Sequence, residues 1–314
     1  MKVLLRSARI IQPGSKNTTR ADILIDKGVI TKIGKSVKAP VKAKVVESAN
    51  LHVSPGWFDM KANYRDPGQE VKEDLMSGAK AAAAGGFTGV LIMPSTDPPL
   101  QDKSDIEYIR KRSSSTPVDM YPAGALSRDM KGKDITEMYD MKVAGAVAFT
   151  DDKAAVEDSG LMLRALQYAK NIGTLILTCS EDPGIISGGQ VNEGVNSTLA
   201  GFIGSPSLAE EISISRDLRI AKYVDGSIHF SCISTDQAVK LIREARKDGV
   251  DVTCDVALHH LFFDDSEILS YDTNFKVYPP LRSSSDMKAL RKAIKSGLID
   301  VVCSCLLYTS DAAD

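Results

Sequence analysis

From residue 54 onward, short apolar segments alternate repeatedly with amphipathic segments along the sequence. The apolar segments read GWFDMKA, GFTGVLIMP, VDMYPAGAL, AGAVAFT, GTLILTCS, GSIHFSCIS, DVTCDVALHH and LIDVVCS. Several of them are apolar without alternation, which is typical of strands whose two faces are both covered in a parallel sheet. Seven of the intervening segments have helical periodicity, and glycines such as Gly173 and Gly249 stand where helices end.

Eight strands that alternate with seven helices predict an α/β protein built on a (β/α)8 TIM-type barrel that lacks its last helix. The alternative is an open, doubly wound sheet, but no glycine-rich phosphate-binding motif follows any of the strands. In a barrel, the functional residues lie at the C-terminal ends of the strands. Those ends read KAN, MPST, FTDD, TCSED, SCIST, LHH and CS.

The first 54 residues differ from the rest of the chain. The segments KVLLRSARII, ADILID and VITKIG are rich in β-branched residues, and Lys27 and Gly28 indicate a tight turn. No helical period is present there, so we predict a small β-strand unit over residues 1–54. The barrel is predicted over residues 55–304, and residues 305–314 form a separate C-terminal tail of the sequence.

Composition narrows the class of protein. The 314 residues include 39 basic and 41 acidic side chains, and this net charge of −2 gives no reason to expect a nucleic acid or a membrane as partner. No apolar run approaches the length of a membrane span. Five cysteines without tight spacing indicate a reducing compartment, so we predict a cytoplasmic location. Only four histidines are present, which is little material for a histidine-rich metal site.

The segment PGWFDMKANYRDPG at residues 55–68 resembles the first-strand signature of the dihydroorotases, a family of cyclic amidohydrolases. The similarity continues through MPSTDPP, CSEDPG, IHFSCIST and YPPLR, in family order and over nearly the whole chain. The resemblance implies a (β/α)8 barrel, one or two zinc ions, and hydrolysis of dihydroorotate to N-carbamoyl-aspartate in pyrimidine biosynthesis.

The chain departs from the family at the positions that hold zinc. Lys61 and Asn63 occupy the places of the two first-strand histidines, and Cys179 and Cys232 replace histidines of the fifth and sixth strands. A protonated lysine cannot ligate a metal, and zinc seldom uses asparagine. We therefore assign no metal ligand, no cofactor and no catalytic residue. A rearranged site of two cysteines and one aspartate, which would retain zinc, is left as an alternative.

The charge balance of the site depends on a carboxylate after the fourth strand and on Lys61. The family's bridging carboxylate is matched by Asp151 or by its neighbour Asp152. Without a metal, these carboxylates require another counter-ion. We expect the ammonium group of Lys61 to supply it, the alternative being a lysine that extends into solvent.

Arg65 and Ser95 are the predicted substrate-binding residues. Arg65 matches the family arginine that pairs with the substrate carboxylate, although a structural salt bridge with Asp66 is an equal alternative. Ser95 stands where the family has an asparagine. Structural roles are predicted for four other strand-end residues, namely Glu181, Asp182, His259 and His260.

The sequence follows the family through IDVVCS, which ends at Ser304, and then changes to CLLYTSDAAD. This tail resembles the translation of a sequencing adaptor, and we interpret residues 305–314 as non-native. The natural chain is expected to continue with the family's general-base aspartate and an eighth helix.

The leading functional prediction is a non-catalytic dihydroorotase-like protein with a structural or regulatory role. Its expected partners are aspartate carbamoyltransferase or an active dihydroorotase, and a homo-oligomer is expected. One alternative is an active dihydroorotase, or a related cyclic amidohydrolase, with an unconventional site. Another alternative is a sensor that binds a small acidic ligand through Arg65.

Overall fold

The computed structural model describes residues 1–15 and 18–305, so most of the tail interpreted as non-native lies outside the described residues. The chain divides into two compact units, Met1–Trp57 and a larger unit that begins at Phe58. Within the described residues, no helix combines the length and the apolar character needed to cross a membrane.

The first unit is a five-stranded sheet in which β1 pairs with β2, β4 and β5, and β2 also pairs with β3. Lys27 and Gly28 join β2 to β3 with φ angles of 52° and 84°, the positive values that a tight hairpin turn requires. Asp22 accepts the backbone N–H groups of Ser7 and Val37, each at 2.8 Å. The strands are β1 (Lys2–Ile10), β2 (Thr19–Asp26), β3 (Val29–Gly34), β4 (Lys44–Glu47) and β5 (His52–Val53).

The second unit contains an eight-stranded sheet in the order β15-β14-β13-β10-β9-β8-β7-β6, which confirms the predicted barrel. The two end strands of this order, β15 and β6, are joined by side-chain contacts. The backbone N–H of Ser304, just after β15, donates to Asp59 Oδ1 of β6 at 3.2 Å, and the Ser304 hydroxyl donates to Asp59 Oδ2. The barrel strands are β6 (Trp57–Ala62), β7 (Phe87–Ile92), β8 (Asp119–Gly124), β9 (Ala148–Phe149), β10 (Leu175–Cys179), β13 (Ile228–Ser231), β14 (Val252–Ala257) and β15 (Val301–Cys303).

All seven predicted helices are present, and side chains cap several of them. Asp74 accepts the N–H groups of Met76 and Ser77 at the start of α1, and Thr235 accepts that of Ala238 at the start of α8. The helices are α1 (Leu75–Ala84), α2 (Lys103–Ser113), α3 (Met138–Ala144), α4 (Ser159–Ile172), α5 (Pro183–Ile186), α6 (Val195–Ala200), α7 (Leu208–Val224), α8 (Asp236–Lys247) and α9 (Ser284–Lys295).

Four short elements between β10 and α7 were not predicted. They are α5, α6 and the two paired strands β11 (Val191–Asn192) and β12 (Gly204–Ser205). Helices of four and six residues are too short to show a periodicity in the sequence. Four 3₁₀ helices, at Arg128–Met130, Leu258–Leu261, Asp265–Ser270 and Thr273–Phe275, were missed for the same reason.

Most of the barrel strands are buried on both faces, whereas Phe58 of β6 and Val302 of β15 are partly exposed. Val90 and Ile92 of β7 belong to the main apolar core with the helices, whereas Leu91 packs with Ala123 and Leu177 in a second cluster. Because side chains alternate along a strand, this second cluster fills the barrel interior beside β7–β10. The interior beside β13 and β14 is polar instead, and its buried residues include His229, Ser231 and Asp255.

Candidate functional site

An ion pair between Lys61 and Asp152 lies at the C-terminal end of β6. Lys61 Nζ stands 3.3 Å from Asp152 Oδ1, and the two side chains are only 7% and 1% exposed. The alternative, a lysine that extends into solvent, is therefore wrong. A buried charge is stable only when it is paired or hydrogen-bonded, so the lysine and the aspartate neutralise one another. The Lys61 ammonium group is the cation that the sequence predicted for this position.

Ser95 and Asn63 extend this ion pair into a hydrogen-bonded network. The Ser95 hydroxyl donates to Asp152 Oδ2 at 2.5 Å, and Asn63 Nδ2 donates to the Ser95 hydroxyl oxygen at 2.7 Å. Asn63 Oδ1 accepts the backbone N–H of Arg65 at 3.1 Å. Both ends of the Asn63 amide are therefore engaged, and the residues at the ends of β6, β7 and β9 are held together.

Asp151 has a structural role, and the facing carboxylate is Asp152. Asp151 Oδ1 accepts the backbone N–H groups of Leu126 and Ser127 at 2.9 and 2.8 Å, and Oδ2 accepts the Ser127 hydroxyl. Burial raises the pKa of Asp151 although these three hydrogen bonds oppose the shift. Asp151 thus fixes the loop after β8, and Asp152 forms the ion pair with Lys61.

Arg65 and Ser95, the two predicted substrate-binding residues, line one cavity of about 310 Å³ together with Asn63 and Asp152. Arg65 is buried and has a φ of 56°, and its Nη1 donates to Gln69 Oε1 at 2.9 Å. Asp66, the alternative partner of Arg65, accepts the Tyr108 hydroxyl at 2.7 Å and lies 3.9 Å from Arg112 Nη2. Substrate binding by Arg65 and Ser95 stays a prediction.

A buried acidic pair lies beyond β10. Glu210 accepts the backbone N–H groups of Ser234 and Thr235 and stands 3.8 Å from Arg282, measured from Oε2 to Nη2. Burial raises the pKa of Glu181 to about 7, although Arg282 lowers it. Among the described residues, Glu181 Oε2 has no hydrogen-bond partner. The predicted structural hydrogen bonds are therefore absent at this oxygen.

The ends of β13, β14 and β15 bring two thiols beside Asp255. Cys232 Sγ lies 3.7 Å from Cys303 Sγ, and Cys303 Sγ lies 3.3 Å from Asp255 Oδ1. His229 Nε2 stands 2.9 Å from Asp255 Oδ2. Burial alone would raise the pKa of Asp255, but the hydrogen bond and charge of His229, followed by the charge of Lys61, hold it below its ordinary value.

Sequence reasoning did not single out His229, Asp255, Glu210 or Arg282 as site residues. A signal was present in the strands, because a charged residue inside an apolar segment such as DVTCDVALHH needs a buried partner. The other predicted positions have structural surroundings. Asp182 caps α5, and His260 Nε2 lies 3.1 Å from the carbonyl oxygen of Pro279. Burial lowers the pKa of His260 to about 3, so this imidazole is neutral.

The residues present do not fit the pair of zinc ions that the family resemblance implies. Lys61 places an ammonium group beside Asp152, and the Asn63 amide is engaged at both ends. Neither first-strand position offers a lone pair that zinc uses readily. A hydrolytic step that depends on such a metal pair therefore finds no support in these residues.

Comparison with known proteins agrees with this architecture. A profile of the family described as "Dihydro-orotase-like" matches residues 51–238. A dihydroorotase of Geobacter metallireducens is 40% identical over 303 residues, which are 96% of this chain and 72% of the relative. A dihydroorotase of Carboxydothermus hydrogenoformans is 39% identical over 302 residues, which are 96% and 70% of the two chains.

Solved structures share the fold at lower identity. An L-hydantoinase (dihydropyrimidinase) from Arthrobacter aurescens superposes with a TM-score of 0.83 at 23% identity, over 96% of this chain and 68% of that chain. For a dihydropyrimidinase from Brevibacillus agri NCHU1002, the TM-score is 0.79 at 20% identity, and the coverage is 97% and 68%. The fold is that of an amidohydrolase-type barrel. At the higher identities above, the chain belongs to the dihydroorotase family.

Proposed function

We propose that this chain is a dihydroorotase-like protein of cytoplasmic pyrimidine biosynthesis that does not hydrolyse dihydroorotate and has a structural or regulatory role. The observation that carries the proposal is the buried ion pair between Lys61 and Asp152. Opening a cyclic amide at neutral pH requires a nucleophile stronger than water, and a metal-bound hydroxide is one way to supply it. The ammonium group neutralises Asp152 but cannot activate a water molecule in this way.

The decisive measurement is the rate of dihydroorotate hydrolysis by the purified protein, with and without added zinc. The dihydroorotase of Geobacter metallireducens serves as the positive control in the same assay. We expect a rate for this chain equal to the uncatalysed rate. Hydrolysis above that rate would overturn the proposal in favour of the alternative, an active cyclic amidohydrolase with an unconventional site.

Binding without turnover is a separate element of the proposal. Arg65 is a buried guanidinium group that lines the 310 Å³ cavity, and guanidinium binds carboxylates through paired hydrogen bonds. We expect dihydroorotate or N-carbamoyl-aspartate to raise the melting temperature, and Arg65→Ala to abolish that rise. Arg112→Ala is the matched control, because Arg112 faces Asp66 and does not line the cavity. An equal rise in the Arg65→Ala variant would exclude this role.

A structural role requires a partner, and we propose aspartate carbamoyltransferase or an active dihydroorotase, with self-association as a homo-oligomer. The test is sedimentation of the purified protein alone and mixed with each candidate. A complex of defined stoichiometry supports the structural role. Independent sedimentation with both candidates would remove that part of the proposal.

A further inference from the structure

Three consecutive barrel strands, β13, β14 and β15, bring two thiols and one carboxylate together. The Sγ atoms of Cys232 and Cys303 and a carboxylate oxygen of Asp255 all lie within 4.8 Å of one another. The three residues are between 0% and 3% exposed. They are not oxidised to a disulfide, because both cysteines are free.

The spacing of the sulfur atoms matches that of a metal-thiolate site. Four donors at ~2.3 Å around a tetrahedral zinc ion stand roughly 3.8 Å apart. The Sγ atoms of Cys232 and Cys303 are 3.7 Å apart, and the contact from Cys303 Sγ to Asp255 Oδ1 is 3.3 Å. Two of the three separations are therefore close to those between corners of such a tetrahedron, and the third is at most 4.8 Å. A hydrogen-bonded pair of protonated thiols has a similar spacing and is the competing explanation.

The Asp255 carboxylate is held in position by hydrogen bonds other than those of the thiols. His229 Nε2 lies 2.9 Å from Asp255 Oδ2, and His229 Nδ1 lies 2.8 Å from Thr253 Oγ1. The backbone N–H of Cys232 donates to Asp255 Oδ1 at 2.7 Å. Hydrogen bonds from a second layer of residues orient metal ligands in this way and raise metal affinity.

We propose that Cys232, Asp255 and Cys303 form a binding site for one thiophilic divalent cation, such as zinc or cadmium. Thiolate donors select such ions over magnesium or calcium. On binding, the two thiols lose their protons to the solvent, so two protons are released for each ion bound. This site shares Cys232 with the zinc positions implied by the family resemblance, but its other two ligands, Asp255 and Cys303, are not among those positions.

Cys305 is not part of the proposed site. Its Sγ lies 3.8 Å from Cys232 Sγ, but Cys305 is the first residue of the tail interpreted as non-native. The experiment is therefore done on the full chain and on the Cys305→Ser variant. We expect both to bind the ion, and loss of binding in Cys305→Ser would overturn the three-residue site.

The test is a titration of the metal-stripped, reduced protein with cadmium chloride. The absorption band of thiolate-to-cadmium charge transfer reports sulfur ligation, and native mass spectrometry counts the bound ions. We expect one ion per chain and two released protons. Cys232→Ser and Cys303→Ser should each weaken binding by at least ~100-fold, because loss of a second-layer group alone can already cost that much. Cys254→Ser is the matched control, because this buried cysteine donates instead to the carbonyl oxygen of Leu298.

X-ray absorption on the unmodified, cadmium-loaded chain does not depend on whether a variant folds. Two sulfur neighbours in the first shell support the site, and a shell of oxygen and nitrogen alone would overturn it. Affinity unchanged by both Cys232→Ser and Cys303→Ser, or abolished by Cys254→Ser, would also overturn it. The result is independent of dihydroorotate hydrolysis, so the failure of either proposal can be recognised without the other.

Discussion

On the β6–β9 side of the barrel mouth, Asp152 lies beside the ammonium group of Lys61, whereas on the β13–β15 side Asp255 lies beside His229 and two thiols. On the first side, the cation is a side chain of the protein itself, Lys61. The second side offers two thiols as donors for a cation, and the charges that lower the pKa of Asp255 are those of His229 and then of Lys61. One barrel has thus replaced metal charge with a lysine at one side and brought soft donors together at the other.

The largest effect is expected from removing the cation on the first side. Lys61→Met leaves Asp152 buried without its partner, which should lower the free energy of unfolding by about 4 kcal/mol. The measurement is urea denaturation at neutral pH. In the Asp152→Asn background the same substitution should cost much less, because the effects of interacting residues are not additive.

Equal losses from Lys61→Met in both backgrounds would show that the two side chains do not interact. Asp151→Asn supplies a control of the same chemistry one residue away. Since Asp151 is bound to Leu126 and Ser127, it should not change the cost of Lys61→Met.

The next effect concerns Glu181, which follows β10 between the two sides. Its pKa is raised from 4.5 to about 7 by burial, so the folded protein retains a proton that the unfolded chain releases. Below about pH 4.5 the carboxyl group therefore does not lower the free energy of unfolding. As the pH rises to about 7, the loss of free energy of unfolding grows to about 3 kcal/mol.

Glu181→Gln removes this titration. The stability of the variant relative to the original protein should increase between pH 4.5 and pH 7 and stay constant above that range. Thermal denaturation in buffers across that range measures the difference. A difference that does not change with pH would show that Glu181 titrates normally.

The barrel could be predicted from the sequence because its strands and helices are long enough to display their periods. The segment SGLMLRALQYAK shows helical spacing and forms α4, whereas α5 has only four residues and shows none. The hairpin turn at Lys27 and Gly28 was also predictable, since its chemistry is local.

The site was predicted only in part, because contacts between distant segments leave little trace in one sequence. The Lys61 pairing followed from charge balance, but the choice between Asp151 and Asp152 depends on backbone geometry. Asp152 has a φ of 51°, and its neighbour points toward the N–H groups of the loop after β8. The thiol pair joins residues 71 positions apart, and no local pattern connects them.

On the second side, removal of the His229 imidazole is expected to cause the largest loss of stability in the metal-stripped protein. His229→Phe keeps a ring of similar size in β13 but removes the hydrogen bond to Asp255 Oδ2. A hydrogen bond to a buried charged group contributes roughly 2 kcal/mol, and this is the expected loss of stability. Chemical denaturation of the metal-stripped protein measures it. A variant as stable as the original protein would mean that Ser231, Cys232 and Cys303 satisfy this carboxylate without His229.

The smallest effect is expected at Ser95, which connects Asn63 to Asp152 on the first side. Ser95→Ala removes a hydroxyl that donates to the carboxylate and accepts from the amide. Because the charge of Asp152 is still balanced by Lys61, the loss should be only about 1 kcal/mol. Ser114→Ala, at the exposed end of α2, is the control and should change stability by less. If Ser95→Ala lowered the free energy of unfolding as much as Lys61→Met, the hydrogen bond would stabilise this carboxylate as much as the charge does. The lysine would then not be the group that replaces the metal.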